Sequence, residues 1–219
     1  MKKRFKITFF GDSISFGQGI SLYQGWVTKF ARFCDENPRG SYEILVENNS
    51  VNGRTTRQAL EDMPYALYSD PPNILILQFG LNDCNYWESD LGSPRVSLGS
   101  YVANLKEMVE RATKIGVSKI VLLNSHPTTL RKNKLPHTDF TFEDSNRLYS
   151  EACRKMADSY SNEFEFIDIY LAFTEAENEV KLSDLLLPDG LHLSDKGHDL
   201  YYQIIRRHMT SFFQDMDLA

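Results

Sequence analysis

Four short polar segments of this 219-residue chain carry side chains that together could perform nucleophilic chemistry. A serine hydroxyl, an imidazole and a carboxylate are the groups needed to attack an acyl carbon. Backbone or amide N–H groups can then hold the oxyanion that develops. Each segment also contains a glycine, which allows the chain to turn tightly. The segments are residues 11–13 (GDS), 52–54 (NGR), 80–83 (GLND) and 189–192 (DGLH).

Five residues of these segments could share the work of ester hydrolysis. Ser13 could act as the nucleophile and His192 as the base that takes its proton, since imidazole titrates nearest to neutral pH. Asp189 precedes His192 by three residues. It can turn back toward the ring, orient it and stabilise the imidazolium. The candidate oxyanion donors are the backbone N–H groups of Ser13 and Gly53 and the side-chain amide of Asn82.

The four segments are placed by a regular alternation of predicted strands and helices. Short apolar runs rich in β-branched and aromatic residues predict strands, and longer segments with helical spacing predict helices. Five such alternations are typical of βαβ units, with a parallel sheet covered by helices on both faces. The predicted strands are 4–10, 42–46, 73–79, 119–123 and 165–169, and the predicted helices are 26–35, 55–68, 101–115, 142–160 and 196–212.

In a sheet of this kind, ligands bind beyond the carboxyl ends of the strands. The segments of Ser13, Gly53 and Asn82 follow the first three predicted strands in turn, so we expect them at one edge of the sheet. Two long connections, 83–99 and 125–139, leave from the same edge. Loops of this length in a compact domain are usually functional or mobile, so the site should lie there.

Three residues of these connections are candidate substrate contacts. Tyr86 and Trp87 could stack on a sugar, line a short acyl pocket or simply pack against the protein. His126 directly follows the fourth predicted strand and should point toward the edge of the site. By contrast, His198 on the last predicted helix is expected at the surface or its boundary.

The four segments lie in longer blocks that read FFGDSISFG, NNSVNGRTT, QFGLNDC and LPDGLHLS, in this order. With these blocks the sequence resembles the SGNH hydrolases, also called the GDSL esterase/lipase family, along essentially its whole length. The first block has isoleucine where the family name has leucine, which is a change between apolar residues. The resemblance implies one domain over residues 1–219 with a flavodoxin-like, five-stranded α/β/α sandwich. It assigns the reaction to Ser13 as nucleophile, His192 and Asp189 as its partners, and Gly53 and Asn82 as oxyanion donors.

The resemblance also implies a serine esterase that hydrolyses carboxylic esters through an acyl-serine intermediate. The family accepts lipid esters, acetylated sugars, aryl esters and thioesters, so the substrate stays open. We expect short acyl groups, such as acetyl groups on carbohydrates, because no long apolar stretch is available to cover a fatty chain. The alternatives are a lysophospholipase or thioesterase, acyl transfer to an acceptor other than water, and an inactive protein that binds carbohydrate or acyl groups.

Composition and charge disfavour several classes of partner. The net charge of −6 argues against binding to a nucleic-acid backbone, which requires concentrated positive charge. No run approaches the ~20 apolar residues of a membrane span. The apolar run 7–10 is too short for a secretory signal, so we expect a cytoplasmic protein. The three cysteines fit neither a disulfide framework nor a metal site, and no metal or cofactor is expected.

Overall fold

The computed structural model describes residues 2–38, 40–160 and 164–217. Within these ranges, five strands form one sheet and eight α-helices connect or flank them. The strands are β1 Lys3–Gly11, β2 Tyr42–Asn48, β3 Ile74–Gln78, β4 Lys119–Leu123 and β5 Glu165–Ile167. The helices are α1 Ser13–Phe16, α2 Trp26–Glu36, α3 Thr56–Leu67, α4 Leu98–Lys114, α5 Phe142–Ser159, α6 Ile169–Ala176, α7 Leu182–Leu185 and α8 Asp195–Asp217.

The sheet has the strand order β2-β1-β3-β4-β5, and every neighbouring pair is parallel. The chain leaves β1 for the edge strand β2 and then crosses back to place β3 on the other side of β1. Connections in opposite directions leave a crevice at the carboxyl ends of β1 and β3, where such sheets bind ligands. This is the flavodoxin-like order, and it confirms the predicted α/β/α architecture.

Helices cover the sheet on both faces. On one face α2 packs against α8, and the Phe9 ring of β1 lies 5.0 Å from the Trp26 ring and 5.5 Å from the Phe30 ring. Phe10 points to the opposite face because successive strand residues alternate, and its ring packs 5.8 Å from that of Phe79. The layer on that face is formed by α3, α4 and α5, which pack side by side. Every residue of the central strand β3 is buried, as its largely apolar sequence predicts.

The ends of several elements follow local capping chemistry and differ from the predicted bounds. The strand predicted over 165–169 ends earlier, because the Asp168 carboxylate accepts the N–H of Leu171 at 3.0 Å and starts α6. Ser97 caps α4 in the same way, so this helix begins before the predicted residue 101. The short helices α1, α6 and α7 were not predicted from the sequence.

Candidate active site

Ser13 stands at the carboxyl end of β1, as the first residue of the short helix α1. The strand ends at Gly11, and Asp12 caps the helix by accepting the N–H of Ile14 at 3.0 Å. Glycine is required at position 11, since a Cβ there would lie 2.9 Å from the Gln78 carbonyl oxygen of β3. The close approach of the end of β1 to its neighbour β3 places the serine directly at the crevice between the carboxyl ends of the two strands.

Ser13, His192 and Asp189 form a continuous chain of hydrogen bonds. Ser13 Oγ lies 3.1 Å from His192 Nε2, and His192 Nδ1 lies 2.7 Å from Asp189 Oδ2. Burial alone would raise the pKa of Asp189, but hydrogen bonds from the His192 ring and from two backbone N–H groups bring that pKa below its usual value. The carboxylate therefore stays ionised at neutral pH and can stabilise a protonated ring. The structure brings the three predicted residues together.

A tight turn before α8 directs Asp189 back to His192. Asp189 Oδ1 accepts the N–H groups of Leu191 and His192, both at 2.9 Å. Gly190 lies in this turn with a φ of +73°, a conformation that favours glycine. A Cβ at this position would also collide with the Thr129 side chain in the loop after β4. The turn is thus fixed by its own carboxylate and by close packing against a neighbouring loop.

Gly53 and Asn82, the predicted oxyanion donors, lie in loops that are tied to each other and to the Ser13 turn. Asn82 Nδ2 donates to Asp12 Oδ2 at 3.2 Å, directly beside the serine. The guanidinium of Arg95 contacts both loops, with Nη1 donating to Asn82 Oδ1 at 3.2 Å and Nη2 to the Gly53 carbonyl oxygen at 3.0 Å. The segments that follow β1, β2 and β3 therefore meet at the crevice.

Arg95 is a site residue that the sequence reasoning missed. It lies in the long loop between β3 and α4, and no motif or spacing distinguishes it from the other arginines. Its place depends on the path of the loop, because its backbone N–H donates to the Asn85 carbonyl oxygen at 2.8 Å. The Trp87 ring lies 4.4 Å from the guanidinium carbon and covers one side of it. Only these tertiary contacts identify the residue.

Two buried carboxyl groups lie beside the reactive groups. Burial raises the pKa of Asp12, which is 0% exposed, to about 7, although the Ile14 N–H and the Asn82 amide donate to it. Burial also raises the pKa of Asp83, to about 6, against hydrogen bonds from the Thr56 hydroxyl and N–H. The Asp83 contact joins the loop after β3 to the first turn of α3. Both carboxyl groups therefore connect loops of the site.

Asp12→Asn should make the protein more stable relative to wild type as the pH rises from 5 to 8. The folded protein holds the Asp12 proton up to a pH of about 7, whereas the unfolded chain releases it near the ordinary value of 3.8. The contribution of Asp12 to wild-type stability therefore falls through this window, and the variant lacks that loss. Between pH 5 and pH 8, the free energy of unfolding of the variant minus that of wild type should rise by roughly 3 kcal/mol, since one pH unit corresponds to about 1.4 kcal/mol.

Urea unfolding of both proteins at the two pH values measures this shift. The control is Asp139→Asn, at an acidic side chain that is 100% exposed, and it should show no such shift. A difference between Asp12→Asn and wild type that does not change with pH would contradict the raised pKa.

Two histidines are buried, contrary to the expectations from the sequence. His126 is 0% exposed, and its Nε2–H donates to the Leu191 carbonyl oxygen at 2.8 Å. It lies beneath the turn before His192 and cannot contact substrate in this structure. His198 on α8 is 1% exposed, and its Nδ1 accepts the Trp26 N–H at 3.2 Å. Burial lowers the pKa of His126 to about 4 and that of His198 to about 3, so both rings are neutral at neutral pH.

The two aromatic candidates for substrate contact have different surroundings. Trp87 is 52% exposed and stacks on Arg95, so its free surface lies beside the site. Tyr86 is partly buried and packs against the core. Within the described ranges, no group of three His, Cys, Asp or Glu side chains could hold a metal ion.

The fold and the site together define an α/β/α hydrolase with a Ser-His-Asp hydrogen-bond chain at the crevice of its sheet. The family model of the GDSL-like lipase/acylhydrolase family matches residues 9–200. The chain belongs to this family, and it is a hydrolase that acts on ester bonds.

Named relatives agree with this assignment, and a solved structure has the same fold. The chain is 28% identical over 208 residues to the GDSL esterase/lipase CPRD49 of Arabidopsis thaliana, an alignment that covers 88% of this chain and 73% of the relative. It is 26% identical to the isoamyl acetate-hydrolyzing esterase 1 homolog of Homo sapiens, over 90% of this chain and 78% of the relative. The acetylxylan esterase Axe2 of Geobacillus stearothermophilus has the same fold, with a TM-score of 0.73 over 92% of both chains at 21% identity.

Proposed function

We propose that this chain is a serine esterase that hydrolyses carboxylic esters through an acyl-enzyme formed on Ser13. The observation that carries the proposal is the hydrogen-bond chain from Ser13 through His192 to Asp189. A nucleophile within reach of a base, which is in turn oriented by a third group, is the arrangement that activates serine. Its position at the crevice between β1 and β3 supports the same conclusion, since ligands bind there.

In the acylation step, Ser13 Oγ attacks the acyl carbon while His192 Nε2 takes the hydroxyl proton. The carbonyl double bond opens to an oxyanion, which the N–H groups of Ser13 and Gly53 and the Asn82 amide hold. Asp189 stabilises the imidazolium that forms. The bond from the acyl carbon to the alcohol oxygen then breaks, and His192 gives its proton to that oxygen.

Deacylation repeats these steps with water in place of the alcohol. His192 removes a proton from the water molecule as its oxygen attacks the acyl carbon, and the same donors hold the second oxyanion. The bond between the acyl carbon and Ser13 Oγ breaks, and His192 returns the proton to the serine. The ester and one water molecule thus yield a carboxylic acid and an alcohol, and the enzyme regains its starting state.

We infer that the acyl group is short and that acetyl esters, including those of carbohydrates, are the first candidates. The sequence has no long apolar stretch that could cover a fatty chain. Two similar proteins are named for acetyl esters, one for isoamyl acetate and one for acetylxylan. The exposed face of Trp87 could stack on a sugar ring.

Turnover of p-nitrophenyl esters from C2 to C12, with acetylated sugars beside them, tests the length of the acyl group. We expect kcat/KM to be highest for the acetate and to fall steadily as the acyl chain grows. An optimum at C8 or longer would contradict the proposal and favour a lysophospholipase or thioesterase. Ester products formed in the presence of added alcohols would reveal acyl transfer to an acceptor other than water.

A fluorophosphonate probe tests the nucleophile independently of the substrate. We expect a covalent adduct that peptide mapping locates on Ser13. A protein that is neither labelled nor active on any ester of the panel would instead be an inactive protein that binds carbohydrate or acyl groups.

Residues 1–219 as one domain and a cytoplasmic location remain predictions from the sequence. Within the described ranges, no helix is long and apolar enough to cross a membrane. A single cooperative unfolding transition is the result expected for one domain.

A further inference from the structure

Arg95 bridges the two loops that carry the proposed oxyanion donors. Its Nη1 donates to Asn82 Oδ1 at 3.2 Å and its Nη2 to the Gly53 carbonyl oxygen at 3.0 Å. One planar guanidinium can satisfy both acceptors because its N–H groups project in a fixed fork. The same group is therefore in contact with the loop after β2 and with the loop after β3.

Both the backbone and the guanidinium of Arg95 are held in place. The backbone N–H of Arg95 donates to the Asn85 carbonyl oxygen at 2.8 Å, and the backbone N–H of Val96 donates to the Asp83 carbonyl oxygen at 3.2 Å. These bonds fold the loop back on the segment that contains Asn82. The Trp87 ring, 4.4 Å from the guanidinium carbon, restricts the remaining freedom of the guanidinium.

The surroundings of Asn82 determine which way its amide faces. Arg95 has only donors, so it fixes Oδ1 on its side of the amide. Asp12 Oδ2 accepts from Nδ2 at 3.2 Å on the other side. Nδ2 carries two hydrogens, and the one that Asp12 does not bind is left for an oxyanion. The positively charged guanidinium that donates to Oδ1 also polarises the amide and strengthens Nδ2–H as a donor.

We propose that Arg95 is a positioning residue that acts through Asn82, orienting and polarising its amide as an oxyanion donor, while the Gly53 contact anchors the guanidinium. This inference rests on the proposed esterase function, because it assigns Arg95 a part in the same site. It differs from a role in binding a substrate carboxylate, which would change KM. It also differs from a purely structural role in the loop, which would not depend on Asn82.

The test measures kcat and KM of Arg95→Met, Arg95→Lys, Asn82→Ala and the double variant with p-nitrophenyl acetate. For Asn82→Ala we expect a fall in kcat of about 10²- to 10³-fold, the usual cost of one oxyanion donor. Arg95→Met should lower kcat by about 10- to 100-fold and change KM by less than about threefold. When Asn82 is already alanine, adding Arg95→Met should lower kcat by no more than about threefold, since its target is gone.

Arg95→Lys should recover part of the loss, because lysine keeps the charge but not the fork that binds two acceptors. If thermal melting shows that Arg95→Met does not fold, Arg95→Lys is compared with wild type in its place. The control is Arg57→Met, at an exposed arginine on α3, which should keep the wild-type kcat.

Three results would overturn the inference. The first is a folded Arg95→Met, or a folded Arg95→Lys if the methionine variant does not fold, with an unchanged kcat. The second is a fall in kcat on adding Arg95→Met to Asn82→Ala that is as large as the fall in the wild-type background. The third is an effect of Arg95→Met on KM alone. Each of these leaves the proposed esterase standing, because the wild type and the Arg57 control would still be active. A wild-type protein that neither turns over esters nor reacts with a fluorophosphonate would defeat the proposed function, and the role of Arg95 with it.

Discussion

Ser13→Ala should lower kcat toward p-nitrophenyl acetate by about 10³-fold or more, as expected when a serine hydrolase loses its nucleophile. The change removes one oxygen, whose hydrogen-bond partner is His192 Nε2 at 3.1 Å. The fold should persist because the Ser13 carbonyl oxygen, which accepts the N–H groups of Gly17 and Gln18, is unaffected. Comparison of kcat and KM with those of wild type, together with a thermal melt, measures the effect.

Ser15→Ala is the matched control for this experiment. Ser15 is also buried in α1, but its hydroxyl donates to Gln78 Oε1 at 2.9 Å and does not contact His192. We expect some loss of stability, on the order of 1 kcal/mol, and a kcat close to that of wild type. Near-wild-type turnover by Ser13→Ala would show that the acyl-serine mechanism is wrong.

The sequence alone predicts the architecture and the meeting of the four polar segments, because both depend on the pattern of apolar residues along the chain. The almost continuous apolar run of residues 73–79 predicts a strand covered on both faces, and β3 is buried throughout. Once the strands are parallel, their carboxyl ends share an edge. Ser13, Gly53 and Asn82 then come together without any knowledge of the loops.

Loop paths and side-chain directions have no comparable pattern, and the sequence reasoning failed there. His126 directly follows β4, but the sequence does not show whether its ring turns outward or beneath the Leu191 carbonyl, where it lies. Arg95 reaches the site only because the loop folds back through its bond to Asn85. The predicted strand over 165–169 contained an apolar pattern, but the Asp168 side chain captures a backbone N–H and starts a helix instead.

Asp189→Asn should be almost as damaging as loss of the nucleophile, although it replaces only one oxygen by an NH₂ group. Asp189 Oδ1 accepts two backbone N–H groups at 2.9 Å, so the single oxygen of an asparagine would stay in that position. Its NH₂ group would then face His192 Nδ1, which must become an acceptor. The proton moves to Nε2, and the ring can no longer take the proton of Ser13. In a Ser-His-Asp protease the same change lowers kcat by about 10⁴-fold, and we expect about 10³- to 10⁴-fold here.

Steady-state kinetics with p-nitrophenyl acetate measure this loss, and Asp195→Asn is the matched control. Asp195 is exposed at the start of α8, three residues after His192 just as Asp189 is three residues before it. The control should therefore keep a kcat close to wild type. If Asp189→Asn kept kcat within about tenfold of wild type, the carboxylate would only shape the turn, since a wrong tautomer must abolish general-base catalysis by the ring. The hydrogen bond to Nδ1, rather than the turn itself, is what makes His192 a base for Ser13.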